Sequence, residues 1–214
     1  MSAIEILKAR LPNGNKVQAE LVYDKHSPSP REWDNLGTIL IAPDKSHWVK
    51  SPDDVVDISI PLGNDPYEHW GNLRREQLKL KTSDIAIAYP IIKYEHGAIR
   101  LSLGCKSGWD YGVVGFVYVT KETLRKEYGV KRITKSILER AENCLQSELD
   151  TLTNWVNGEC YGWEIKEYAL GDDGLDWEEV DTLDGCWGYL DKDQALDDMK
   201  DGLNYFTKNQ CDEV

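Results

Sequence analysis

The sequence predicts an α+β fold: an antiparallel or mixed sheet packed on one long helix, with an acidic C-terminal extension. Three observations predict it. Three β-rich runs, 85–92, 98–103 and 113–119, follow one another through connections too short for a crossover helix. After them Leu138, Ala141, Leu145, Leu149, Leu152 and Val156 recur at threes and fours, the period of a helix with one apolar face. Acidic residues then crowd the chain past residue 150.

The elements follow in order. Leu11 to Asn15 (LPNGN) is a turn signal, and Val17, Ala19, Leu21 and Tyr23 beyond it share one face at period two, so a hairpin is expected. The prolines of HSPSP, 26–30, exclude regular structure there. REWDNLG is then an ordered loop, and Thr38 to Ala42 (TILIA) a buried strand. The stretch 43–66 reads as irregular with a short strand at Val55 to Ile60, and Tyr67 to Leu80 reads as a helix. Of the three central strands the first two join through Glu95-His96-Gly97, and the Gly-rich loop GCKSGWDYG, 104–112, has the make-up of a binding loop. Thr120 caps a short helix ended by Gly129, and Thr134 caps the long one, Lys135 to Asn157, ended by Gly158. Cys160 to Leu170 alternates as a strand, GDDG turns, 177–190 gives one or two short strands, and Gln194 to Phe206 is an acidic helix interrupted by Gly202. With no repeat and no disordered linker, residues 1–214 are expected to form one domain, near-neutral to 149 and acidic beyond.

Composition narrows the function. The 214 residues are 41% hydrophobic, enough to bury a sizeable core. No apolar run approaches the roughly 18 residues of a membrane span, and the N-terminal residues lack a signal-type apolar core. A cytoplasmic, membrane-free protein is the expectation. Five cysteines at wide spacing, without CxxC, read as reduced thiols, with Cys144 on the apolar helical stripe the best buried candidate. Net charge is −13, and residues 150–214 alone carry −14, which repels phosphate and excludes a general nucleic-acid binder. Trp155, Trp163, Trp177 and Trp187 show that this acidic segment folds.

No motif of high specificity for catalysis is present. His96 beside Asp110 could form an acid–base pair, but no positioned Ser or Cys completes a nucleophilic site, and a turn-serving histidine explains the residue as well. GWDYGVVG is not a phosphate-binding GxGxxG, and no GxxxxGK[ST] occurs. Asp172, Asp173, Asp176, Glu178 and Glu179 offer oxygens for calcium without the ligand order of an EF-hand, while Asp53, Asp54 and Asp57 fit a cap or a solvated face. No metal and no cofactor is expected. The feature that asks for a partner is the acidic array Asp172, Asp173, Asp176, Glu178, Glu179, Asp181 and Asp184, interleaved with Trp177 and Trp187. Carboxylates held rigidly at near-phosphate spacing can occupy a basic nucleic-acid groove, and Trp is a preferred interface anchor. Plain solubility is the competing explanation of the charge.

The blocks SPREWDNLGT (29–38), KYEHGAIRLS (93–102), GWDYGVVGFVYVTKETLRKEYGVKRIT (108–134), GECYGWEI (158–165) and DGCWGY (184–189) resemble a family of small bacteriophage and prophage proteins with no established activity. Where that family carries a Trp-Asp-Ser-Gly run this sequence has Trp109-Asp110-Tyr111-Gly112, which removes a serine nucleophile. The resemblance implies a phage source, and phages encode small acidic proteins that block host defence enzymes. The resulting expectation is a non-enzymatic inhibitor of a host nucleic-acid-handling protein, of anti-CRISPR or antirestriction type, acting through the acidic face. Two alternatives stand beside it. One is an enzyme or small-ligand binder built on Trp33, Asp34, Asn35, His96, Trp109 and Asp110; the other is a phage accessory or structural protein that self-associates. Partner identity and oligomeric state are open at this point.

Overall fold

A computed structural model describes residues 3–42, 65–106 and 108–209. The strand expected at 55–60, Asp53, Asp54, Asp57 and Cys211 lie outside the described residues. In chain order the elements are β1 (Glu5–Arg10), β2 (Lys16–Tyr23), β3 (Thr38–Ile41), α1 (Pro66–Glu76), β4 (Ile85–His96), β5 (Ala98–Leu103), β6 (Tyr111–Thr120), α2 (Lys121–Glu127), α3 (Lys135–Val156), β7 (Tyr161–Leu170), β8 (Trp177–Tyr189) and α4 (Lys192–Asn209). The class is α+β. The chain forms two compact units, Met1–Pro28 with Gly158–Val214, here the terminal unit, and Ser29–Asn157, the central unit. The chain passes between the units at 28/29 and 157/158, whereas its charge changes at 149/150.

The central unit holds the antiparallel sheet β3-β6-β4-β5. Its strands are apolar on consecutive positions because both faces are covered. Ile39, Ile41, Val117 and Val119 pack with Ala141, Leu145, Leu149 and Leu152 of α3, while Leu40, Ala42 and Phe116 pack with Leu73 of α1 and its neighbour Trp70. Both predicted caps form: the Thr120 hydroxyl accepts from the Thr123 N–H and the Thr134 hydroxyl from the Ile137 N–H. Gly115 is required by a close approach, since a Cβ there would lie 2.0 Å from the Leu40 carbonyl oxygen. The first helix stops at Glu76, earlier than expected, because the Leu78 N–H turns back to the Leu73 carbonyl and Lys79 takes a φ of +55°.

The terminal unit holds a second antiparallel sheet, β1-β2-β7-β8. Here the strands alternate, and one face is covered: Val17, Ala19, Leu21, Trp163 and Ile165 pack against Ala195, Met199 and Leu203 of α4. One sheet on one helix is thus corrected to two sheets, each with its own helical cover. Three finer expectations also change. Gly202 does not interrupt α4; it lets the helix close on the sheet, where a Cβ would meet Ile165 and Trp163 at 3.1 and 3.2 Å. Residues 177–189 form one long strand, bent by bulges, not two short ones. The buried thiol is Cys160 at 2% exposure, whereas Cys144 is half-buried and its Sγ lies 3.7 Å from a Glu148 oxygen.

Candidate functional site

The charge divides with the fold. The terminal unit holds 8 Lys and Arg against 20 Asp and Glu, a net of −12, and the central unit 17 against 18, a net of −1. Four of the acidic residues, Glu178, Glu179, Asp181 and Asp184, lie on β8, the last strand of its sheet, most of whose residues are exposed.

Strand register decides which side of the sheet each carboxylate takes. Residues three apart on a regular strand point to opposite faces. Glu178, Asp181 and Asp184 nevertheless pair with Ala169, Glu167 and Ile165, successive alternate positions of β7 that share the α4 side. Two register shifts each insert one residue into β8 and bring the three carboxylates onto the same side, opposite partners about 6.8 Å apart. Among the described residues none of the three forms an ion pair, while Asp184 accepts from the Gly185 N–H. Glu179 pairs with Tyr168 in register and so takes the other face, where Lys166 lies 3.7 Å from it and 2.9 Å from Glu164. Those carboxylates hold the Lys166 ammonium above its ordinary range, with the Glu164 contact the largest cause.

The remaining members of the sequence array disperse. Asp172, Asp173 and Asp176 sit in the turn between β7 and β8, where Asp173 accepts from the Leu175 and Asp176 N–H groups. Trp177 and Trp187 take the open face, opposite Leu170 and Gly162, away from the aligned carboxylates. Trp187 lies directly on Gly162, where a Cβ would stand 2.1 Å from its ring. The expected single array with two tryptophan anchors is therefore three aligned carboxylates, one ion-paired glutamate, an acidic turn and two tryptophans on the opposite face. Among the described residues no three Asp, Glu, His or Cys side chains are gathered as metal ligands would be.

The loops of the alternative reading lie in the central unit, at opposite ends of β6. His96 Nδ1 is 3.8 Å from Asp110 Oδ2, both exposed, next to a Tyr94–Tyr111 ring pair, and Trp109 is fully exposed. Trp33, Asp34 and Asn35 line a cavity of about 390 Å³ with Arg31, Leu78 and Tyr118. Tyr111 and Tyr118 are seven residues apart on one strand, about 24 Å, so the two loops do not share a pocket.

Sequence reasoning missed Glu148. Its carboxylate accepts from the Leu36 and Gly37 N–H groups at 2.6 and 3.1 Å, fixing the loop after Asn35 to α3. Burial raises its pKa above the ordinary glutamate value despite those two bonds. In the terminal unit Trp163 Nε1 donates to Asp198 at 3.2 Å and to the Tyr189 hydroxyl, which itself donates to Asp198. Burial, then the Asp198 contact, pushes the Tyr189 hydroxyl well above its usual value.

Among family models, curated proteins and solved structures, none matches this chain.

Proposed function

We propose that the protein is a phage-encoded, non-enzymatic inhibitor that binds a host nucleic-acid-handling defence protein through the α4 side of β8. The observation that carries this reading is the alignment of Glu178, Asp181 and Asp184 by two bulges on an exposed sheet margin, in a unit of net charge −12. Carboxylates standing opposite strand positions about 6.8 Å apart resemble a short run of phosphates, which rise about 3.4 Å per nucleotide along one strand's axis and are farther apart along the path. Free of internal cations, they are available to the Lys and Arg side chains of a nucleic-acid groove. Exposed Asp193, Asp197 and Asp201 of α4 extend the same sign of charge, Asp197 being shared with Lys200. The resemblance of the sequence blocks to phage proteins supports the choice of a defence protein as partner. Among the described residues neither the His96–Asp110 pair nor the Trp33 cavity assembles a nucleophile, a base and an oxyanion site, which favours the binding reading over the enzymatic one.

The test is competition. Purified CRISPR effector and restriction complexes are loaded with labelled duplex DNA, and the protein is added at rising salt. Displacement that weakens with salt and is lost in the triple variant Glu178→Lys, Asp181→Lys, Asp184→Lys is expected, with Glu179→Lys retaining it. Equal displacement by the triple variant, with circular dichroism unchanged, overturns the reading.

A further inference from the structure

The open face of the terminal sheet carries a second feature, opposite in sign to its surroundings. Register places Arg10, Lys16 and Tyr168 in one row across β1, β2 and β7, and Lys8 and Gln18 in the next. With Trp177 from β8 these residues line a cavity of about 510 Å³. Lys16 Nζ lies 3.8 Å from the Trp177 ring centroid and Arg10 Cζ 5.7 Å from it. The neighbouring cation Lys166 is neutralised by Glu164 and Glu179. Lys8, Arg10 and Lys16, by contrast, make no ion pair with a carboxylate among the described residues; Arg10 reaches only the Gly14 carbonyl. Three cations free of carboxylate partners, gathered round two aromatic rings in a unit of net charge −12, ask for an anion supplied from outside.

We propose that this cavity binds a small anion carried on a planar ring. The ring lies on Trp177 or Tyr168 and the anionic group draws Lys16 from the indole to join Arg10 and Lys8. The cavity volume suits a ligand the size of a nucleotide. The surrounding acidity repels an extended polyanion and leaves short-range pairing to a compact one. Two sources share this chemistry: the phosphate of a nucleoside monophosphate and the carboxylate of an aryl acid. The site is on the face away from Glu178, Asp181 and Asp184, so it stands or falls apart from the inhibitor reading.

Isothermal titration of the full chain with adenosine monophosphate, indole-3-acetate, adenosine and inorganic phosphate tests it. At least one of the two ring-bearing anions is expected to bind, adenosine monophosphate alone pointing to the nucleotide source and indole-3-acetate alone to the aryl acid. Adenosine and phosphate should each bind at least about tenfold more weakly than that anion, as the loss of one charge-assisted contact set or of the stacked ring predicts. Arg10→Gln at an exposed position and Lys16→Gln at a half-buried one, each checked by circular dichroism for an unchanged fold, should weaken it similarly, and Trp177→Phe less. No heat from either ring-bearing anion, binding unchanged in both Gln variants, or adenosine or phosphate binding as tightly, overturns the proposal.

Discussion

The two sheets of this protein are built alike and finished differently. Each has four antiparallel strands, yet the central one is closed on both faces and at its β5 edge, while the terminal one leaves a face and its β8 edge exposed. On β5 the Ile99, Leu101 and Leu103 N–H groups donate to Asn157, the residue that caps the end of α3, and to Thr153 and Gln146 of α3, three side chains that occupy the edge a further strand would use. No such cover lies over β8 among the described residues; carboxylates protect it instead. An edge guarded by charge stays soluble and remains able to meet a cationic partner, whereas an edge sealed by helix side chains does not. The central unit is thus the more fully enclosed of the two, and the terminal one carries the exposed charged edge.

The largest expected break is in the closed unit. Leu149→Ala removes a fully buried side chain between α3 and the sheet and should cost about 3 to 5 kcal/mol, read by chemical denaturation. A loss under about 1 kcal/mol would mean that this core is looser than its burial states. Glu148→Ala comes next. It leaves the Leu36 and Gly37 N–H groups without their acceptor, at about 1 to 3 kcal/mol for each group that stays dry.

The same carboxylate gives a pH signature. Because burial raises its folded pKa, its contribution to stability is fully present below the unfolded glutamate value and is lost as pH rises through the raised folded value. Denaturation midpoints of the wild type and Glu148→Gln, compared from pH 4 to 7, should therefore lie nearest each other at the acid end and shift in favour of the variant toward neutral pH. A parallel pair of curves would contradict the assignment.

In the open unit, Gly162→Ala should displace the Trp187 ring and cost about 1 to 3 kcal/mol, with the Trp187 indole signal shifted in NMR spectra. The smallest effect belongs to Thr134→Ala, about 1 kcal/mol from a lost helix cap. Should the open unit tolerate Gly162→Ala without a shift at Trp187, the description of that ring as a cover for the β7 backbone fails.

Much of this was legible in the residues. The consecutive apolar runs TILIA and VVGFVYV signal strands buried on both faces, and the alternation in YGWEIKEYAL signals a strand buried on one. Both threonine caps and the α3 stripe are local and were read locally. The division into two sheets was not legible, because the partner of β2 is β7, well over a hundred residues away, and no local pattern encodes which distant strand completes a sheet. Glu148 escaped for a similar reason: its partners Leu36 and Gly37 are backbone groups with no signature of their own.

The sequence by itself determined how many carboxylates lie past residue 150, that they flank tryptophans, and that the segment folds, since these follow from composition and periodicity. Only the tertiary structure decided which of them stand together. A strand alternates sides every residue, so each bulge reverses the side of everything beyond it. Two such reversals gathered Glu178, Asp181 and Asp184, and plain alternation then leaves Trp177, next to Glu178, and Trp187, three residues past Asp184, on the face where cations line the cavity.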